Sequence, residues 1–564
     1  MRHNCKNIVG GRRSTDDILD SMRTRRQQQC SSSEKKGGHA TTLDTKEREK
    51  IDKSYYESIV RVISHDTEFD YEYPFKIKGD SESSGTGFFI DQQGHILTCS
   101  HVVEDASHVF VEIPTQGKKQ YKAKILGVCP FFDLAVIKVL EYSNTAFCPL
   151  YEDESGDDDW VKSGDETYAL GFPLGQDNLK VTKGIISGQQ FKMYQIDVPI
   201  NPGNSGGPLI KDNKVVGVNG AGIMMSNNIG YAVPISRFYL IRDYLMKGGG
   251  DKGGRLVHYP EVFGFEFQRS SADFKEFFGH RCQGGVYVKR VFKDSPVSST
   301  KLKKGDILCS MNGVQIDQYG EFEQRWMNQK MTFENMLAMM PLGKDVHITY
   351  WDGSKSVDES FPLQQYKMPI RTRYPVFEKI PFAVIAGMVV MPMTLNHLAG
   401  YGVFGRVRKY RRTENRHERR LIIPTIMSGS YLATLKIIKP HEIIDRVNDI
   451  ETRTIEDFRK NILRVQKKKY ITILTEEKNL VILPIDTVLT EEQHLQDVYK
   501  YTQDAIVDQL RQTQSHKGTR RRSSSSSSKQ RRQSTSKGRR KSTGKGRRTS
   551  AGKGRRTSTA KGAK

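Results

Sequence analysis

The stretch PGNSGGPLI, Pro202–Ile210, constrains this chain more than any other. Three glycines crowd one serine, and glycine weakens a helix while a solvated loop has no need of it. Glycine is required where a backbone takes positive φ or passes very close to another group. A reacting serine needs such a backbone, because the amides around it must converge on one point where negative charge develops. The stretch therefore calls for a base, an orienting acid and a pocket elsewhere in the chain.

Candidates for both partners are present. His101 closes GHILTCSHVV, where an apolar run gives out into a turn, and Asp133 opens DLAVIKVL, flanked by apolar residues that would desolvate it. In the expected chemistry His101 takes the Ser205 proton, Asp133 holds the histidine tautomer, and the Gly203 and Ser205 amides stabilise the oxyanion. The order His, Asp, Ser is one of the known orders for such a triad. Singly, each residue also fits a turn, a cap or a glycine-rich hairpin; it is the combination that points to nucleophilic catalysis. From Tyr55 to about Leu245 the chain reads as short β-type runs between Gly and Asn turns, among them GTGFFID, HVFVEI, TYALGF, KVVGVNG and IGYAVPI. That spacing predicts a barrel or sandwich. SRFYLIRDYLM then reads as a closing helix and KGGGDKGG as a linker.

At 564 residues the chain is too long for one core. Its hydrophobic fraction of 36% is low for an all-globular chain, so polar arms are expected beside folded domains. Residues 1–52 read as a disordered arm, 53–247 as the β-rich domain, 255–365 and 375–500 as two further units, and 513–564 as a disordered basic tail. The third unit carries an arginine-rich interruption, GRVRKYRRTENRHERR. The net charge is +24, but 19 Lys and Arg with no acid lie between Lys517 and Lys564, which leaves +5 for everything before. Within that tail KGRRKSTG, KGRRTSAG and KGRRTSTA repeat every eight residues, a composition with nothing to bury. Seven scattered cysteines without a C-x-x-C pair argue against a disulfide framework or a zinc site, and for a reducing compartment. No secretory signal is visible. The longest apolar run, Ile380–Pro392, is 13 residues, against the roughly 20 that a membrane span needs. A soluble protein without membrane association is expected.

SSGTGFFID…GHILTCSHVV, DLAVIKV, LGFPLG, VTKGIISG, INPGNSGGPLI and IGYAVPI resemble the protease domain of the HtrA/Deg serine proteases. The resemblance extends over about residues 55–500, and IPFAVIAGMVVMPMTL with the 421–465 region resembles the second, divergent PDZ of plant-type Deg proteases with two PDZ domains. It implies a mostly β chain: a trypsin-like double β-barrel followed by two α+β PDZ-like domains. It also implies His101, Asp133 and Ser205 as the triad, with Gly203 and Ser205 as oxyanion donors. Where the family reads TNAHVV this chain has Cys99 and Ser100, and Cys99 is expected to be a small buried residue. Ile200, Gly222 and Ile223 fall where the family has a small apolar pocket for the residue before the cut. Phe263, Gly264 and Phe265, in FGFEF, fall where a PDZ loop captures a peptide carboxylate, the alternative being an internal domain with a closed groove. The second PDZ-like unit implies assembly more than peptide capture. Homotrimers or trimer-based hexamers are implied, with the aromatic cluster YEYPF as a candidate contact. YEDESGDDDW and LGFPLGQDNLKVTKG are expected in loops near the active site, where they either switch activity or are merely solvated.

The function expected is ATP-independent serine endopeptidase activity on unfolded or exposed proteins, with no cofactor and no metal. The alternatives are a weakly proteolytic chaperone or scaffold, and a nucleic-acid-associated structural protein acting through residues 517–564. That tail has no aromatic residue to stack on bases, so any nucleic-acid contact is expected through phosphates. The expected setting is intracellular and reducing, with a nucleus or another nucleic-acid-associated site as a further expectation. A solubilising or targeting tail without a stable ligand is the other reading.

Overall fold

A computed structural model describes residues 55–512 apart from 145, 153–159, 191, 223–228, 249–253, 324–329, 401–405 and 465–468. The N-terminal arm and the basic tail read from the sequence lie outside the described residues. Contacts gather the described chain up to Phe382, with Met391–Thr425, into one compact unit; Ala383–Val390 and the described chain from Ile426 onward form a second.

The first unit begins with two six-stranded barrels. β1 (Ile59–Phe69), β2 (Ile77–Phe89), β3 (His95–Thr98), β4 (Ala106–Glu112), β5 (Gln120–Cys129) and β6 (Leu134–Val139) run β4-β1-β2-β3-β6 and close through the β5–β4 and β5–β6 pairings. Val, Ile and Phe fill its interior: Ile59, Val62, Phe88, Ile96, Val111 and Val136 are fully buried, as β-branched and aromatic side chains suit a pleated, enclosed surface. The second barrel closes as β10-β11-β12-β9-β8-β7, from β7 (Glu166–Gly171), β8 (Lys180–Gln190), β9 (Met193–Ile196), β10 (Pro208–Lys211), β11 (Lys214–Gly222) and β12 (Gly230–Pro234). Helix α1 (Ile235–Met246) follows, where SRFYLIRDYLM predicts one.

β13 (Arg255–Leu256) adds parallel to β5 and carries the chain from the barrels into an antiparallel sheet. That sheet has the order β14-β15-β16-β18-β19, with β14 (Phe265–Gln268) at its edge, then β15 (Val286–Val291), β16 (Ile307–Met311), β18 (Asp345–Trp351) and β19 (Ser356–Pro362); β17 (Val314–Gln315) pairs with β16. Helices α2 (Ala272–Phe278) and α3 (Phe333–Leu337) belong to it. Tyr259 ties this sheet to the first barrel. Its ring lies 4.9 Å from Phe131 and 4.6 Å from Phe132, while its hydroxyl donates to the carbonyls of Leu337 and Met340.

Cys282 and Cys309 form a disulfide, with Cα atoms 5.5 Å apart. This corrects the expectation of no disulfide: 27 positions separate the two in sequence, but the sheet folds the loop before β15 back beside β16. Cys99, Cys129 and Cys148 are free and buried. The YEYPF cluster is engaged within the chain, since Tyr71 donates to the Arg373 carbonyl and packs its ring 5.1 Å from that of His397. The arginine-rich interruption belongs to the first unit too. Arg416 pairs with Glu261 at 2.9 Å, and His417 stacks on Phe292 with ring centroids 3.4 Å apart.

The second unit is a further α+β sheet. β20 (Ala383–Ile385) forms a hairpin with β21 (Met388–Pro392), and β23 (Ile443–Val447) pairs with β24 (Ile450–Glu451) and β25 (Tyr470–Thr475); the short β22 (Leu421–Ile422) falls in the first unit. β25 pairs in turn with β26 (Leu480–Pro484). Helices α4 (Tyr431–Leu435), α5 (Ile455–Leu463) and α6 (Ile485–Tyr499) complete it. Among the described residues no helix is long and apolar enough to cross a membrane.

Candidate active site

His101 lies in a single helical turn, Ser100–Val102, just after β3, and Asp133 lies just before β6, which pairs with β3. Adjacent strands therefore deliver both residues to one end of the first barrel. Asp133 takes φ +56, a left-handed conformation that Asp tolerates better than most side chains. Its carboxylate accepts from the His101 backbone amide at 3.0 Å and meets Nδ1 at 2.9 and 2.8 Å through its two oxygens. Nδ1 so engaged leaves Nε2 as the nitrogen available for proton transfer. Burial pulls the His101 pKa down, but the hydrogen bond and charge of Asp133, with the charge of Glu104, prevail and raise it above the ordinary value. Glu104 itself is pushed up to about 7, chiefly by burial, although the Ser100 hydroxyl donates to it at 2.7 Å.

Ser205 comes from the second barrel, in the turn before β10. The glycines there answer to backbone geometry. Gly203 has φ +100, and a Cβ on it would stand 2.3 Å from the Phe172 carbonyl oxygen; Gly206 has φ +87, and a Cβ would stand 2.1 Å from that of Thr86. No side chain fits either position. The Leu174 amide donates to the Pro202 carbonyl at 2.7 Å. Because the peptide is planar and trans, the Gly203 N–H in that same unit points the opposite way. Among the described residues neither the Gly203 nor the Ser205 N–H is used in a backbone hydrogen bond, so both remain available to an oxyanion.

Thr86 on β2 bolts the turn to the first barrel. Its amide donates to the Ser205 carbonyl at 2.8 Å, and its hydroxyl donates to the Gly203 carbonyl at 2.6 Å while accepting from the Phe172 amide at 3.1 Å. Sequence reading missed Thr86, although its setting between two glycines in GTG repeats the signal that marks Ser205. Glu104 was missed too, and nothing in its neighbourhood flags it; Leu174 lies in LGFPLGQDNLKVTKG, the segment expected near the active site, but was not singled out within it.

The Ser205 hydroxyl donates to the Gly220 carbonyl at 3.1 Å; among the described residues no hydrogen bond joins it to His101. A serine–histidine hydrogen bond of this kind commonly tightens only when substrate binds. Cys99 is fully buried, as expected, and its thiol contacts the Asn219 carbonyl at 3.2 Å. Cys99, His101 and Asp133 place their donor atoms within 4.8 Å of one another. Burial, then the nearby Asp133 charge, drives the Cys99 thiol far upward, so it stays protonated.

Ile200 lies beside the site. Its side chain faces Gly230, which pairs across the β11–β12 ladder with Gly222. Ile223 lies outside the described residues. Phe263, Gly264 and Phe265 sit far along the chain from the triad, at the edge strand β14. There a small cavity of about 50 Å³ is lined by Phe263, Phe265, Phe267, Phe333 and Leu337 among others.

Two barrels, one carrying a histidine–aspartate pair and the other a glycine-flanked serine, define a trypsin-like peptidase domain, and the trypsin-like peptidase domain family matches residues 85–218. Over that region and beyond it the chain is similar to serine proteases of the HtrA/DegP family. A "Probable periplasmic serine endoprotease DegP-like" of Pseudomonas putida is 34% identical over 249 residues, covering 42% of this chain and 49% of that protein. A mitochondrial protein of Arabidopsis thaliana, named as a Do-like 3 protease, is 29% identical over 387 residues, 64% of each chain. Among solved structures, "HtrA-type protease AlgW with decapeptide" overlaps with a TM-score of 0.42 at 22% identity, covering 56% of this chain and 98% of that one. The chain spans about half the length of the curated relatives it matches first.

Proposed function

We propose that the chain is a serine endopeptidase that cuts unfolded or exposed proteins without ATP. The observation that carries this reading is the His101–Asp133 pair at 2.8 Å together with a serine turn whose Gly203 and Ser205 amides make no backbone hydrogen bond among the described residues. His101 acts as general base on Ser205 and then as general acid on the leaving amine; Asp133 stabilises the imidazolium; the two amides hold the oxyanion. Ile200 and Gly222 form the pocket for the residue before the cut. The β14 edge with Phe263, Gly264 and Phe265 receives an extended peptide by strand addition. Casein cleavage by the wild-type protein, lost in Ser205→Ala with the fold intact, is the expected result. Equal cleavage by both proteins would sink the reading.

A weakly proteolytic chaperone is the second reading, favoured by the Ser205 hydroxyl resting on Gly220 rather than on His101. Suppression of client aggregation by Ser205→Ala, with wild-type turnover near background, would support it. Assembly as a trimer or trimer-based hexamer is proposed from the family resemblance, and light scattering tests it. Residues 517–564 are proposed to contact phosphates of nucleic acid on the strength of their 19 cations. Binding then falls steeply with salt and is lost on truncation after His516. The relatives are named periplasmic and mitochondrial, and those names give the nuclear reading no support. The intracellular, reducing setting is proposed from the scattered cysteines without a C-x-x-C pair and, among the described residues, from the free Cys99, Cys129 and Cys148; a thiol count on protein isolated under alkylation would show whether Cys282 and Cys309 are oxidised.

A further inference from the structure

The Ser205 turn has two flanks. On one, the Ser205 hydroxyl meets Gly220, and β11 continues to Gly222 beside Ile200. On the other, Gly203 packs against the Phe172 carbonyl, and the Leu174 amide bonds to Pro202. A peptide cut at Ser205 that seats the residue before the cut on the Gly220–Gly222 flank must lead the residues after it past the opposite flank. Leu174 stands there.

Leu174 carries two liabilities at once. Its φ of +55 is a left-handed conformation that a Cβ-bearing residue occupies at a cost and glycine occupies freely. Its apolar side chain is 69% exposed, beside a catalytic turn. A conformational outlier at such a place is grounds for a functional hypothesis. An apolar surface held by a backbone bond next to the oxyanion peptide is suited to an apolar side chain of substrate.

Accepting the endopeptidase reading on which this rests, we infer that Leu174 is a specificity residue for the leaving-group side of the cut, selecting apolar residues just after the scissile bond. Its contact is with the half of the substrate that departs on acylation, so it acts on peptides that extend past the cut and not on acyl substrates that end there.

Three substrates with the same acyl half test this: a peptide with Leu after the cut, the same peptide with Ala there, and a chromogenic anilide with no residue there. Leu174→Gly keeps the amide, suits φ +55 and removes only the side chain. It should lower kcat/KM for the Leu peptide about 10-fold, the scale of lost apolar contacts in a pocket, and leave the Ala peptide and the anilide within about twofold. Leu174→Glu should shift the preference toward Lys or Arg after the cut. A uniform change across all three substrates, or none in any, overturns the inference. Wild-type rates equal to those of Ser205→Ala on all three would instead remove the endopeptidase reading, and this inference with it.

Discussion

Two glycine turns in this chain look alike on paper and are built differently. In the Ser205 turn, Gly203 and Gly206 are each blocked by a backbone carbonyl from another element, Phe172 and Thr86 respectively. In the edge turn FGFEF, Gly264 has φ +104 and a Cβ there would stand 2.1 Å from Cβ of Ser295. That neighbour is a side chain. A backbone contact cannot be negotiated by substitution, whereas a side-chain contact can. The first turn is specified by the fold, and the second by one neighbouring residue.

The largest effect belongs to the chemistry of the first turn. Ser205→Ala or His101→Ala should lower turnover by about 10⁴-fold or more with folding intact, and Asp133→Asn by a similar order through the wrong histidine tautomer. Nothing comparable is expected from Phe263→Ala or Phe265→Ala assayed on short peptides. If these slowed turnover as much as Ser205→Ala, the separation between the two turns would collapse.

A smaller effect probes the glycines themselves. Gly203→Ala should misplace one oxyanion donor and lower kcat by about 10²–10³-fold, and no second substitution can relieve a clash with the Phe172 carbonyl. Gly264→Ala should destabilise the fold by about 1–3 kcal/mol, as overpacking does. Against a Ser295→Gly background the same change should cost less, measured as a double-mutant cycle by denaturant unfolding. Equal costs in both backgrounds would show that the left-handed φ, not Ser295, sets the requirement.

Smaller again is Thr86→Val, which removes the donor to Gly203 and the acceptor for Phe172 while keeping shape. Leaving such buried groups unpaired costs about 1–3 kcal/mol of stability. If about 1.4 kcal/mol of that falls on the transition state, turnover drops about tenfold. Thermal unfolding and casein turnover measured together separate the two contributions.

This same contrast explains what could be read in advance. His101 and Asp133 stand at strand ends whose apolar runs are visible in HILTCSHVV and DLAVIKV, and the pairing of β3 with β6 makes their meeting a consequence of that pattern, while Ser205 was marked by its glycines. The closing helix was equally legible, since SRFYLIRDYLM contains no glycine or proline and observed Ile235–Met246 coincides with it. Thr86 was readable in principle and overlooked. Leu174 was not readable, because an exposed leucine becomes unusual only when its φ and the bond to Pro202 are known. The Cys282–Cys309 pair was invisible for a similar reason: sequence separation says nothing of a distance set by β15 and β16. The arginine-rich interruption read as part of the third unit, whereas Arg416 and His417 hold it to the first through Glu261 and Phe292.

The smallest expected effect concerns the charge behind His101, where the first turn differs again from the aromatic-lined edge of β14. Burial first, then the charges of Asp133 and Asp105, raise Glu104 to about 7 against the opposing Ser100 hydrogen bond. Its folded pKa lies above its unfolded value, so its contribution to stability is complete below about 4.5 and is lost as pH rises to 7. Glu104→Gln should remove that loss and make the variant more stable than wild type at pH 8, by up to about 3 kcal/mol. For catalysis the sign is opposite in origin but follows from the same charge. Ionised Glu104 helps to raise His101, which must be neutral to act as base, so the acid limb of kcat/KM against pH should lie above 6.5 in the wild-type protein. Removing the charge should move that limb to lower pH while the plateau stays within about twofold, as expected of a group that touches no substrate. A limb that stays in place, with stability at pH 8 unchanged, would mean that Glu104 is already solvated and that the field behind His101 comes from Asp133 alone.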